Sequence, residues 1–262
     1  MMGHIFLRGM RALFFFFVLA MSLTAAEPLR VGMDMSYPPF EMRDPQGQPA
    51  GVSVDLARMI SEKLGRPVEF QNMPFDGLIP SLKTNRVDVI VSSMTATEER
   101  AVTVDFSSPY LKTGLSLLVG KDTGINSAAD LNQAGKRVAV VKATTGHLWA
   151  MKNLPQATVL VLATETTCAM EVVQGKADAF IYDQLSTLRN WQRHPEATRA
   201  LLKPFKEESW AIALRKGNEE LRGQINQALA DLQKEGAFQK LTDKWLKEQK
   251  AGFDKLGVPF VF

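Results

Sequence analysis

From residue 29 to residue 183, short apolar runs of strand character take turns with amphipathic segments of helical spacing. This alternation commits the chain to mostly parallel sheets flanked by helices, because parallel neighbours need a crossover and a helix supplies it. The first cycle opens with "LRVGM" as a strand and "VSVDLARMISEKLG" as a helix, in which Leu56, Met59, Ile60 and Leu64 fall on one face. Gly65 and Pro67 stop that helix. "VEFQN" reads as a strand, "FDGLIPSLKTN" as a short helix that Pro80 puts in question, and "VDVIVSS" as a buried strand.

A second cycle follows residue 111: "RVAVV", "TVLVL" and "ADAFIY" as strands, with "TGHLWAMKN" and "TTCAMEVVQG" as the helices between them. The stretches "SLKTNRVDVIVSS" and "EVVQGKADAFIYD" echo each other, each with a helix end, a turn, an Asp, an apolar strand and a polar residue where the strand stops. A repeat of roughly 90 residues is too long for a solenoid and describes two domains on one plan. The tail is helical, with Leu221, Ile225, Leu229 and Leu232 on one face, and "FQKLTDKWLKEQ" after a break at Gly236. "SWAIALRKG" resembles "GLSLLVGKD" in character, and the two are expected to pass side by side between the domains as a two-strand hinge. One lobe would hold residues 27–111 and 209–262, the other residues 112–208.

At the N-terminus, Arg8 and Arg11 precede "ALFFFFVLAMSL", and Thr24 and Ala26 stand at the small-residue positions before a cleavage point. Residues 1–26 are therefore expected to be a secretory signal peptide, the apolar run being about 12 residues against the roughly 20 of a membrane helix. No cysteine follows the run, so a lipid-modified signal is not expected, and the product should be free in the periplasm. Without those residues the chain starts at Glu27 and holds 236 of the 262 residues, with 29 basic and 28 acidic side chains and a net charge of +1. Such a balance gives no reason to expect nucleic acid as a partner. Cys168 is the single cysteine, so stability outside the cell has to come without an internal disulfide.

Ligands of open parallel sheets collect beyond the carboxyl ends of the strands. The polar and aromatic residues there are Asp34 and Tyr37, Ser92, Ser93 and Thr95, Thr144 and Thr145, and Asp183, with Arg100 a few residues past the serines. One cation, two anions, several hydroxyls and a ring make a surface complementary to a zwitterion. A guanidinium binds a carboxylate through two parallel hydrogen bonds, which lysine cannot do. Thr97 before Glu98 and Glu99 reads as a helix N-cap that would hold Arg100 in place.

"VGMDMSYPPFE", "GVSVDLA", "FDGLIPSLKTNRVDVIVSSMTATEER", "VDFSSPY", "VVKATTG", "DAFIYD" and "GAFQKLTDKW" occur in this order over nearly the whole chain after the signal. Together they resemble the polar amino-acid binding proteins of bacterial ABC importers, solute-binding proteins with two lobes and a hinge. The resemblance implies that Arg100 clamps the α-carboxylate, with Thr145, the amide of Gly146 and nearby Thr144 completing that half of the site. It implies that Asp183 takes the α-ammonium, assisted by Ser93 and Thr95, and that Tyr37 and Phe75 enclose the ligand side chain. Asp34, Lys142, Tyr182 and Ser92 would set side-chain specificity. An acid and a lysine in one pocket would satisfy a carboxamide, so a glutamine-like ligand is favoured, with a basic amino acid as the other option. Ala143 stands where many relatives have glycine.

The expected partners are a free amino acid and the membrane subunits of an ABC permease, with a monomeric protein and no cofactor or metal. Two other classes fit the same fold: a ligand-converting enzyme resembling cyclohexadienyl dehydratase, and a ligand sensor. For catalysis the inventory is thin, with His147 and Cys168 the unusual candidates and Glu165 and Glu171 as acids more simply read as helix surface.

Overall fold

The computed structural model describes residues 26–260. The expected signal peptide lies outside the described residues except for Ala26. Among those described, no helix is long and apolar enough to cross a membrane.

The first half of the chain runs β1 (Leu29–Met33), β2 (Met42–Arg43), β3 (Pro49–Ala50), α1 (Val52–Leu64), β4 (Val68–Asn72), α2 (Phe75–Lys83), β5 (Val89–Ile90), α3 (Glu98–Ala101) and β6 (Val104–Phe106). It continues through β7 (Leu111–Gly120), β8 (Arg137–Val141), α4 (Thr145–Asn153), β9 (Thr158–Leu162), α5 (Glu165–Val173), β10 (Ala179–Asp183), α6 (Gln184–Arg193) and β11 (Thr198–Trp210). The return segment is β12 (Ala213–Arg215), α7 (Glu219–Lys234), α8 (Ala237–Trp245) and α9 (Lys247–Leu256). Helix α2 does run through Pro80, which removes only one backbone donor from a helix whose start is held from outside by Asp34.

Two five-stranded sheets result, in the orders β4-β1-β5-β12-β6 and β9-β8-β10-β7-β11. In each, four strands point the same way and one runs against them: β12 in the first sheet, β7 in the second. The reversed strand is in both cases the one whose chain has just arrived from the other lobe, and it takes the same place in the order. The fold is therefore two-lobed and mostly parallel, one plan used twice. Each sheet is covered on both faces, as parallel strands require. Leu78 of α2 shares one apolar cluster with Ile90 and Val104, Ile60 of α1 and Ile225 of α7 share another with Val31, Ala150 of α4 lies in a third with Val140, and Cys168 of α5 in a fourth with Phe180.

The crossing differs in detail from the expectation. Leu111–Leu115 of β7 pairs with Lys206–Trp210 of β11, after an irregularity between Leu201 and Lys206. "SWAIALRKG" is not one strand but two pieces: Ser209 and Trp210 end β11, and Ala213–Arg215 is β12, bonded to β5 and β6. The break arises because Ala211 N–H donates to Met94 O at 3.0 Å and Ile212 N–H to Ser107 Oγ at 3.0 Å, which draws the chain into the first lobe. Gly114 is required at the crossing, since a Cβ there would stand 2.6 Å from both Lys206 O and Pro204 Cβ. The last helix, α9, leaves the first lobe to pack on α6 of the second, with Phe253 and Leu188 in one apolar cluster.

Candidate functional site

Arg100 sits on the single turn of α3, whose start is held as expected: Thr97 Oγ1 accepts the Arg100 N–H at 3.2 Å. The side chain is 7% exposed and points between the lobes. Nη1 donates to Thr95 O at 2.8 Å, and Nη2 donates across the cleft to Ala143 O at 3.0 Å. The Phe75 ring centroid is 5.4 Å from the guanidinium carbon, so this ring both lines the cavity and stacks on its cation. Burial lowers the guanidinium's pKa, an effect opposed chiefly by the charge of Glu208. It stays a cation, since arginine does not lose its proton in proteins.

The opposite wall belongs to the second lobe. Asp183 ends β10 and caps α6, its Oδ1 accepting the N–H groups of Leu185 at 2.9 Å and Ser186 at 3.0 Å. Its Oδ2 accepts the Tyr37 hydroxyl of the first lobe at 2.8 Å. Burial pushes the Asp183 carboxyl up to about 6, against the pull of the Ser186 and Tyr37 hydrogen bonds. The turn after β8 supplies the rest. Ala143 is left-handed, with φ 62°, which aims its carbonyl at Arg100, and His147 Nδ1 accepts the Ala143 N–H at 3.2 Å. His147 thus supports the turn, and Cys168 lies in the apolar core. Thr144 is the N-cap of α4, and with Thr145 and Gly146 it borders the cavity. Only glycine lets α4 approach β10 this closely, since a Cβ on Gly146 would be 2.8 Å from Ile181 O.

About 630 Å³ of atom-free space, its open mouth included, lies among these groups. Twelve of the expected residues border it: Asp34, Tyr37, Phe75, Ser92, Ser93, Thr95, Arg100, Thr144, Thr145, Gly146, Tyr182 and Asp183. Several are already engaged by the protein. Ser92 Oγ accepts the Asp34 N–H at 2.9 Å, Ser93 Oγ donates to Glu41 at 2.8 Å, and Asp34 accepts the Phe75 N–H at 3.0 Å and the Ser36 hydroxyl at 2.7 Å.

Lys142 is a correction. Its side chain is 63% exposed and its Nζ lies 2.7 Å from Asp76 Oδ2 on the rim, holding that carboxyl below the usual range. The residue follows β8, where Val141 takes the inward place, so the ammonium stays hydrated and reaches a surface acid instead of entering the pocket.

The cavity also uses residues that sequence reasoning passed over. Glu41 is fully buried below Ser93, and burial lifts its carboxyl well above the ordinary range despite the Ser93 hydrogen bonds. Glu165, read as helix surface, is 4% exposed and is held by Ser186, Arg189 and Asn190 of α6. Glu208 of β11 accepts the hydroxyls of Thr95 at 3.0 Å and Thr145 at 2.9 Å, one from each lobe. Trp210 closes the hinge side, edge-on to Phe40 at 5.0 Å. Glu41 was at least marked by its place at the end of "YPPFE"; nothing local distinguishes Glu165 or Glu208 from solvated glutamates.

Residues 29–248 match the model of the bacterial extracellular solute-binding proteins, family 3. The chain belongs to this family. It is similar to the L-cystine-binding protein TcyJ of Escherichia coli K12, with 32% identity over 83% of this chain and 82% of the relative. Among solved structures it is similar to the ancestral amino acid-binding protein AncCDT-1, a precursor of cyclohexadienyl dehydratase, at 37% identity and a TM-score of 0.77, covering 83% of this chain and 95% of that one. An ancestral arginine-binding protein bound to glutamine gives 36% identity and a TM-score of 0.75, covering 83% and 97%. The family membership and the two-lobed fold read from the motifs therefore stand.

Proposed function

We propose that the protein captures a free polar L-amino acid between its lobes and presents it to an ABC importer. The observation that carries this reading is that a buried guanidinium, Arg100, and a buried carboxylate, Asp183, border one cavity from opposite lobes. In that reading Arg100, with Thr145 and the Gly146 amide, receives the α-carboxylate. Asp183 receives the α-ammonium, and Tyr37 and Phe75 flank the side chain. The two ends of the ligand then join the two lobes, and binding favours the closed arrangement. A micromolar dissociation constant asks for a net binding free energy of about 8 kcal/mol, within reach of a two-ended, desolvated ion clamp.

For the side chain, the wall has an excess of acid. Beyond Asp183, given to the α-ammonium, and Glu208, at the carboxylate end with Thr145, the acids Asp34, Glu41 and Glu165 border the cavity, with Arg189 behind Glu165. Lys142 no longer argues for glutamine alone. The ligand side chain is accordingly an amide or a cation, and aspartate and glutamate are excluded by repulsion. Export through the N-terminal signal to the periplasm accords with the extracellular family. Calorimetry with the twenty amino acids tests the reading: heat is expected from glutamine- or arginine-like ligands, and no heat from any of them rejects it. Product analysis after long incubation with the bound amino acid and with prephenate separates capture from conversion.

A further inference from the structure

Glu208 lies on the hinge strand, with its side chain 3% exposed. One of its oxygens, Oε2, takes the hydroxyl protons of both Thr95 and Thr145. The other, Oε1, is buried without a hydrogen bond, with Lys206 Nζ at 3.6 Å. Arg100 feels its charge more than that of any other acid. A carboxylate thus already borders the same cavity as the guanidinium and holds the Thr145 hydroxyl assigned to the α-carboxylate, together with Thr95 from the other lobe.

We propose that Glu208 is a built-in competitor for the ligand's carboxylate, holding the Thr145 hydroxyl that an incoming carboxylate has to take from it. The inference rests on the amino-acid reading of the cleft. Each hydroxyl has one proton to donate, so it serves one of the two carboxylates and not both. The two anions also repel in a site from which water is largely removed, where charges act more strongly than in solution. Glu208 therefore weakens binding and tunes affinity downward without touching the ligand's side chain.

Calorimetry on Glu208→Gln, with L-arginine, L-glutamine and L-argininamide, tests this. The amide keeps an oxygen for the hydroxyls and removes the charge. L-Arginine and L-glutamine are expected to bind the variant roughly tenfold more tightly or better, the relief of one close like-charge contact. L-Argininamide lacks the carboxylate and carries more positive charge, so it is expected to bind no better, or worse. Unchanged or weaker binding of both amino acids would overturn the proposal, as would an equal gain for L-argininamide. Glu208→Ser, which gives up the carboxylate altogether, is expected to shift affinity in the same direction, and it serves if the amide variant does not fold. Should the wild-type protein bind no amino acid at all, the capture reading fails and this inference falls with it.

Discussion

Asp183 does two jobs with its two oxygens, and they can be separated. Oδ1 caps α6, while Oδ2 meets the Tyr37 hydroxyl at the cavity. Asp183→Asn keeps an acceptor for the cap and removes the charge, so binding should fall by at least about 100-fold, the scale of a lost buried ion contact. The variant's thermal unfolding without ligand should stay close to wild type, whereas Asp183→Ala should also lose about 1 kcal/mol with the cap. The pH dependence has a definite sign. Burial has raised this carboxyl to about 6, and an ammonium ligand favours its ionised form. Affinity is therefore full above that pH and falls as pH drops through it, by about tenfold per unit, in titrations from pH 8 to 4.5. Affinity that holds constant down to pH 4.5 would take the ammonium away from Asp183. Ala143 gives a second prediction at this scale. Its left-handed backbone costs an L-residue roughly 1–2 kcal/mol, partly offset by glycine's greater freedom when unfolded. Ala143→Gly should raise stability by up to about 1 kcal/mol in urea unfolding.

Between elements, the contact that matters most for the site is the clasp of α5 on α6. Glu165 begins α5 and holds Ser186, Arg189 and Asn190, one face of the helix that Asp183 starts. Arg189 also lies over the Tyr37 ring, its guanidinium carbon 5.6 Å from the centroid, so the clasp reaches the aromatic wall of the first lobe. Glu165→Ala leaves a buried guanidinium without its carboxylate and should cost about 3–5 kcal/mol in chemical unfolding, while Glu165→Leu with Arg189→Met should recover most of that. If the single variant is nearly as stable as wild type, the clasp is an ordinary surface pair. The element level was also where reading the sequence went furthest and then stopped. Strand and helix positions, and the Thr97 cap, follow from local pattern. The split of "SWAIALRKG" does not, because it depends on Met94 and Ser107, distant residues that bond the chain just after Trp210.

For the molecule as a whole, function is tied to the chain's crossing between two copies of one plan. In each sheet the strand that arrives from the other lobe runs against its neighbours, and the paired ends of β7 and β11 form the bridge. Lobe-to-lobe hydrogen bonds from Arg100 and Tyr37 cluster around the cavity, so a ligand placed there adds to contacts that already favour closure. A bound amino acid at 100 times its dissociation constant should stabilise the protein by about 2.7 kcal/mol. The melting temperature should rise with ligand concentration, and small-angle scattering should show a smaller radius of gyration on binding. Asp183→Asn should show the same changes only at ligand concentrations at least about 100-fold higher.

Local pattern and motif order were enough to read the fold class and the doubled plan, and they pointed to Arg100, Asp183, Thr145, Tyr37 and Phe75, which border one cavity. Periodicity reports which face of an element is buried, and strand ends report where ligands collect. Burial of a charged side chain is another matter, because it depends on what packs over it from elsewhere in the chain. Glu165 and Glu208 look in sequence like any solvated glutamate and become pocket walls only when α6 and the other lobe close over them. Lys142, which the motif placed inside, stands on the rim because Val141 takes the inward position and Asp76 from the opposite lobe offers its ammonium a partner in water.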